Sequence, residues 1–262
     1  MGSSRGCIER RTCKRAGGGQ FLFGREYPPG PDALPFVPRL FTLTLLCALV
    51  TSGAPATPDL FDGFGGDWRK QWQEEKFFTK PTIYAVTVDE DGQAVLHASS
   101  SAAHAALVRR VEVSSPTRAT LRWRWKVKSP LTGNNRERTR DGDDYAARVC
   151  VIFETSLWPL RTRAINYVWA AGQPAVTDFP SPYSSNVRMF VVRSGTAAAG
   201  VWCAESRDVL ADYQKSFGEP VTRISAVAIL VDTDNTGLSA EAWFAQLTLE
   251  TTPALKAEAP HR

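Results

Sequence analysis

From Leu60 onward the chain runs in segments of five to nine residues that alternate apolar and polar side chains and then break at Gly, Pro, Asp or Asn. Successive side chains of a strand point to opposite faces, so a period of two marks a half-buried antiparallel strand. The clearest run covers residues 121–128: Leu121, Trp123, Trp125 and Val127 share one face, and Arg122, Arg124, Lys126 and Lys128 share the other. Similar runs cover residues 82–88, 94–98, 145–153, 166–170, 187–193, 201–207, 224–232 and 242–249. Short strands of this kind, rich in aromatic residues and joined by irregular loops, predict an all-β protein. The expected architecture is a two-sheet antiparallel β-sandwich, jelly-roll-like, with one or two short helices. Helical spacing is confined to residues 209–217 and 102–108. The stretch 129–144, dense in charge, Gly and Asn, reads as a surface loop.

The N-terminal part follows a different pattern. Residues 40–50 are an apolar run that follows Pro38-Arg39 and leads into small residues ending at Ala54-Pro55-Ala56, the three-part layout of a secretory signal. A buried hydrophobic segment is the alternative. Eleven residues fall short of the roughly 20 that a bilayer-spanning helix needs, so no permanent membrane span is expected. Leu45-Leu46 before Cys47 is not the small-residue context of a lipoprotein acylation site. The expected organisation is a disordered extension over 1–36, a signal peptide over 37–56, a sandwich domain over 57–252 and a frayed tail over 253–262. Export places the domain in the periplasm or outside the cell.

Charge changes meaning once it is divided this way. The formal net charge is +4, but seven of the 31 basic and three of the 27 acidic residues precede Thr57, leaving 24 of each beyond it. A neutral domain without a basic stripe lacks the phosphate electrostatics that dominate nucleic-acid affinity, and that class is excluded. Cys7, Cys13 and Cys47 leave with the leader, and Cys150 and Cys203 remain, either as a disulfide or as buried thiols. No Cys/His cluster suggests zinc.

Four motifs stand in order along the chain: Asp143-Asp144-Tyr145-Ala146-Ala147-Arg148-Val149, Asn166-Tyr167-Val168-Trp169-Ala170, Arg188-Met189-Phe190-Val191-Val192-Arg193-Ser194-Gly195, and Val231-Asp232-Thr233-Asp234-Asn235-Thr236-Gly237. Together they resemble a bacterial exported family catalogued as domain of unknown function 3047, over most of the chain from Phe61 to Leu249. The resemblance implies no activity.

Candidate chemistry follows from asking which ionisable residues share a face with apolar ones, because a buried charge must be paired or functional. By alternation Asp144 and Arg148 fall with Ala146 and Cys150. Arg188 falls with Phe190 and Val192, and Glu205 and Arg207 fall with Cys203. On one concave sheet Asp144, Arg148, Arg188, Glu205 and Arg207 form a charged floor for a polar ligand, held through guanidinium contacts. A structural ion-pair network or a solvated outer face fits the same pattern. Sugar rings stack on aromatic side chains, and Trp158, Tyr167, Trp169 and Tyr183 sit in or beside predicted loops. Trp169 and Tyr183 are the stacking candidates, whereas Trp123, Trp125, Trp202 and Trp243 read as core or sheet-face packing. Asp232 and Asp234, followed by Asn235 and Gly237, offer clustered oxygens of the kind Ca²⁺ prefers, or an ordinary turn.

The leading expectation is a non-catalytic binding domain for a polar small molecule or saccharide. One alternative is a glycoside-active enzyme pairing Glu205 with Asp144 or Asp232 as acid and base. The other is a structural or partner-binding envelope protein. Histidines are few, and neither a Gly-x-Ser-x-Gly elbow nor a phosphate-binding glycine loop occurs. The oligomeric state is left open.

Overall fold

The computed structural model describes residues 67–77, 79–155, 162–175 and 177–253, all within the compact unit Gly53–Arg262. The extension, the leader, Trp158 and the tail beyond Pro253 lie outside the described residues. In chain order the strands are β1 (Gln73–Lys76), β2 (Ile83–Val88), β3 (Ala94–Ser101), β4 (Ala105–Ser114), β5 (Pro116–Val127), β6 (Tyr145–Glu154), β7 (Thr162–Ala170), β8 (Asp178–Pro180), β9 (Val187–Ser194), β10 (Cys203–Asp208), β11 (Arg223–Asp232) and β12 (Ser239–Pro253). A helical turn α1 (Trp68–Gln71) and a helix α2 (Val209–Phe217) accompany them.

The strands make a seven-stranded sheet in the order β1-β4-β11-β6-β7-β9-β8 and a five-stranded sheet in the order β10-β5-β12-β3-β2. This is the expected all-β sandwich. Every named pair is antiparallel except β7 with β9, which run parallel. The core takes Leu121, Trp123, Trp125 and Val127 from β5, and Val149, Val151 and Phe153 from β6. Trp125 meets Trp123 edge-on at 5.4 Å and Trp169 at 5.8 Å between ring centres, so indoles from both sheets lock the layers together.

The reverse face of the seven-stranded sheet is also apolar: Cys150 of β6 packs there with Ala106, Val108, Ala226, Ala228 and Leu230. That burial explains a departure from the sequence reading. Residues 102–108 are not helical, because Ala105 and Leu107 enter the core while Ala106 and Val108 line the reverse face. A strand buried on both sides loses its alternation and reads as a short helix. Cys150 and Cys203 belong to different clusters and are free thiols.

The other expected helix is present as α2. Asp208 caps it by accepting hydrogen bonds from the amides of Leu210 (3.1 Å) and Ala211 (3.0 Å), and Gly218 ends it in the left-handed conformation. Among the described residues no helix is long and apolar enough to cross a membrane.

In β12 the register against β5 shifts between Ala245 and Thr248, and Gln246 inside that bulge has φ 50°. A side chain in this region costs about 1–2 kcal/mol that glycine avoids. Gln246→Gly is therefore expected to stabilise the fold by about 0.5–1 kcal/mol, and Gln246→Val to destabilise it. Urea midpoints of the three proteins check this.

Candidate functional site

Arg148 lies on β6 in the double-buried part of the seven-stranded sheet and is 7% exposed. Its Nη2 donates to Asp232 Oδ2 at 2.7 Å on neighbouring β11 and to the Asp143 carbonyl at 3.2 Å. The Asp143 Oδ1 is 3.9 Å away, buried and without a hydrogen-bond partner among the described residues. Asp144 takes the Asn235 and Thr236 amides and the Thr236 hydroxyl. His104 faces Asp234 at 3.7 Å. Above this cluster Tyr183, 47% exposed, donates from its hydroxyl to the Arg140 carbonyl and accepts from Asn235.

Four aspartates around one arginine leave an excess of buried negative charge. Burial pushes the Asp143 carboxyl up to about 7 against the opposing pull of Arg148, with Asp232 and Asp144 adding to the rise. It likewise pushes Asp232 up to about 6. Burial would raise Asp234, but His104, its own backbone amide and Arg148 together hold it below the ordinary range. Asp232 and Asp234, the expected Ca²⁺ ligands, lie at the end of β11 and in the turn that follows it. Asp232 accepts from Arg148 and from the Tyr145 amide, whereas Asp234 Oδ1 stands 3.7 Å from His104 without a hydrogen-bond partner among the described residues. Among the described residues no group of three or more His, Cys, Asp or Glu side chains is placed to hold a metal ion.

The remaining residues of the expected floor lie elsewhere. Glu205 and Arg207 of β10 sit opposite Trp123 and Leu121 of β5 and so point between the sheets. Glu205 accepts from Arg193 (2.6 Å) and from the Trp125 indole (3.0 Å). Arg207 grips Asp212 of α2 with two bonds of 2.9 and 2.6 Å, and Tyr167 donates to the same carboxylate. Arg188 pairs with Asp178, which Lys215 of α2 also meets. Alternation tells which residues of one strand share a face, but not which face of which sheet. Hence the expected floor separates into the Asp144–Arg148 cluster and a network along β9, β10 and α2. Glu205 makes its hydrogen bonds with Arg193 and Trp125, whereas Asp232 makes its own with Arg148 and Asp144 with Asn235 and Thr236.

The stacking candidates fare differently. Trp169 is 1% exposed and donates to the Gly195 carbonyl, so its ring is core, whereas Tyr183 is at the surface. On the opposite sheet Trp243 stacks on His97, and Lys126 lies over both Trp243 and Trp202. The faces of Trp243 are thus taken by its own neighbours.

A cleft of about 520 Å³ opens between three loops. Pro130, Thr132, Gly133, Asn134, Asn135 and Glu137 line one side; Ala171, Gly172 and Gln173 the second; Gly195 and Thr196 the third. The first loop is more than the expected surface loop. Asn134, Glu137, Asp143 and Asp144 are buried, and Asn134 Nδ2 donates to the Gly142 and Asp144 carbonyls. Gly142 is required there, because a Cβ would stand 2.4 Å from the Arg136 carbonyl oxygen. The Glu137 carboxylate ties this loop to the second. It accepts from the amides of Ala171 (2.5 Å), Gly172 (3.2 Å) and Gln173 (3.1 Å), a nest of consecutive N–H groups. Burial raises its pKa while these amides oppose the rise. Among the described residues no intramolecular partner takes the side chains of Asn135, Gln173 or Thr196. Sequence reasoning missed all three, since a loop's polar residues gain meaning only when the fold brings loops together. The Asn and Gly density of 129–144 was the available signal.

The family model described as Protein of unknown function (DUF3047) matches residues 70–248. The chain belongs to that family. No curated protein matches the chain. Among solved structures, this family member is similar to the Family 11 Carbohydrate-Binding Module of cellulosomal cellulase Lic26A-Cel5E of Clostridium thermocellum, at 9% identity and a TM-score of 0.42, covering 80% of this chain and 100% of that one. It is also similar to Cellulose induced protein, Cip1, at 10% identity and 0.44, covering 76% and 99%. A third is the xyloglucanase domain of NopAA from Sinorhizobium fredii in complex with cellobiose, at 8% and 0.39, covering 69% and 93%. Likeness at this level carries no argument about the site.

Two predictions come from the cluster. Raised folded pKa values mean that the folded chain holds these protons more tightly than the unfolded one, where aspartate titrates near about 3.9. This stability is complete below about pH 4 and is lost as the pH rises through the folded values near 6 and 7. Melting temperature should therefore rise on acidification from pH 8 to pH 6. Asp143→Asn should flatten that rise and be the more stable protein at pH 8, by about 1 kcal/mol or more. Arg148→Ala strands Asp232 and should cost about 3–5 kcal/mol, with much of the loss recovered when Asp232→Asn is added. Chemical denaturation of the single and double variants measures both effects.

Proposed function

We propose that the domain binds a saccharide in the cleft between loops 130–137, 171–173 and 195–196, without turning it over. The observation that carries this reading is that Asn135, Gln173 and Thr196 bring neutral donors and acceptors from three loops to one cavity of about 520 Å³. Ligand sites commonly run to about 300–1,000 Å³ with a few convergent polar groups. Amides and hydroxyls match the alternating donors and acceptors of a sugar's hydroxyl groups. Binding without turnover is supported by Glu137, the ionisable residue of the lining, whose carboxylate is committed to three backbone amides. The apolar run 40–50 and the small residues after it support export, so the ligand is met in the periplasm or outside the cell.

The test is the melting temperature of the full chain against a panel of neutral gluco-, xylo- and manno-oligosaccharides, followed by calorimetry on any that shift it. Loss of one hydrogen bond costs about 1 kcal/mol. Asn135→Ala and Gln173→Ala should each weaken binding by about fivefold while the unliganded melting temperature stays put. Undiminished affinity in a variant carrying both changes and Thr196→Ala would sink the assignment.

A further inference from the structure

We infer that the cleft selects uncharged saccharides and turns away chains bearing uronate groups, because the buried Glu137 carboxylate sets a fixed negative charge beneath its floor. This rests on the saccharide reading above and adds what that reading lacks, the charge class of the ligand.

Glu137 is the ionisable residue among those that line the cleft, and it is fully buried. Its field therefore crosses protein rather than water and is screened little by salt. No cation cancels it: among the described residues its carboxylate makes no ion pair, and its partners are the amides of Ala171, Gly172 and Gln173. Those amides favour its ionised form against the burial that raises its pKa.

The same contacts remove the groups that would welcome an anion. Three consecutive amides form an anion nest, and the protein's own side chain fills it. Arg136 and Arg138 flank Glu137 in sequence, yet they are engaged elsewhere. Arg136 is solvated and stands 4.0 Å from Asp141, and the Arg138 guanidinium lies 4.5 Å over the Phe179 ring. The side chains that remain for a ligand, Asn135, Gln173 and Thr196, carry no charge.

Matched ligands test this on the full chain. Each neutral oligosaccharide of the panel is measured by calorimetry beside its C6-oxidised form, in which a primary alcohol has become a carboxylate, and beside the methyl ester of that form. Binding of a neutral sugar with its oxidised form weaker by roughly tenfold or more, and with the bulkier ester restored toward the neutral value, supports the inference. An oxidised form that binds as tightly as its parent, or more tightly, overturns it while leaving the saccharide reading intact. An ester as weak as the acid also overturns it, since size and not charge then decides. If no member of any pair binds, the saccharide reading fails and the inference with it. Glu137→Gln, which keeps the shape and removes the charge, should narrow the gap between neutral and oxidised forms. Should that variant not fold, the ester series decides alone.

Discussion

A strand buried on both faces has nowhere to put a charge except against another charge. β6 is such a strand: it lies between β11 and β7, with the core on one side and the apolar reverse face on the other. Arg148 in its middle therefore dictates much of what surrounds it. Asp232 must face it across the ladder, the backbone of Asp143 must turn its carbonyl inward, and Asp144 must pin the turn after β11 through Asn235 and Thr236. A buried pair of this kind adds little net stability, but it makes alternative arrangements of the two loops costly.

That requirement extends to the cleft. The loop that ends in Asp143 and Asp144 begins with the residues that line the cavity, and Asn134 joins its two halves. Glu137 then carries the constraint across to residues 171–173. Leu131 and Ala171 anchor the cleft walls in the core, while hydrogen bonds to buried polar atoms tie the loops to one another.

Much of the architecture was legible in the chain. The alternation in residues 121–128 and the helical spacing of residues 209–217 each state a local periodicity that the tertiary structure keeps. β4 was not legible, because burial on both faces erases the pattern by which strands are read. β1 and β8 are too short to show one. For the site, alternation correctly grouped Arg148 with Cys150, and Glu205 and Arg207 with Cys203. Combining these groups into one floor needed knowledge of the sheet order, which depends on contacts distant in sequence. Trp169 was misjudged for a related reason: its place near a loop suggested access, while its ring was claimed by Trp125 across the sandwich.

The parallel pairing of β7 and β9 sets this fold apart from a plain meander. Antiparallel neighbours can be joined by a two-residue turn, but parallel neighbours oblige the chain to travel back along the whole length of the sheet before it starts again. The excursion from residue 171 to 186 makes that return, laying down β8 on the way. It supplies the amides that grip Glu137 at its start and Tyr183 near its end. The second wall of the cavity is thus a by-product of strand direction, since antiparallel neighbours could be joined by a short turn without the excursion that carries residues 171–173.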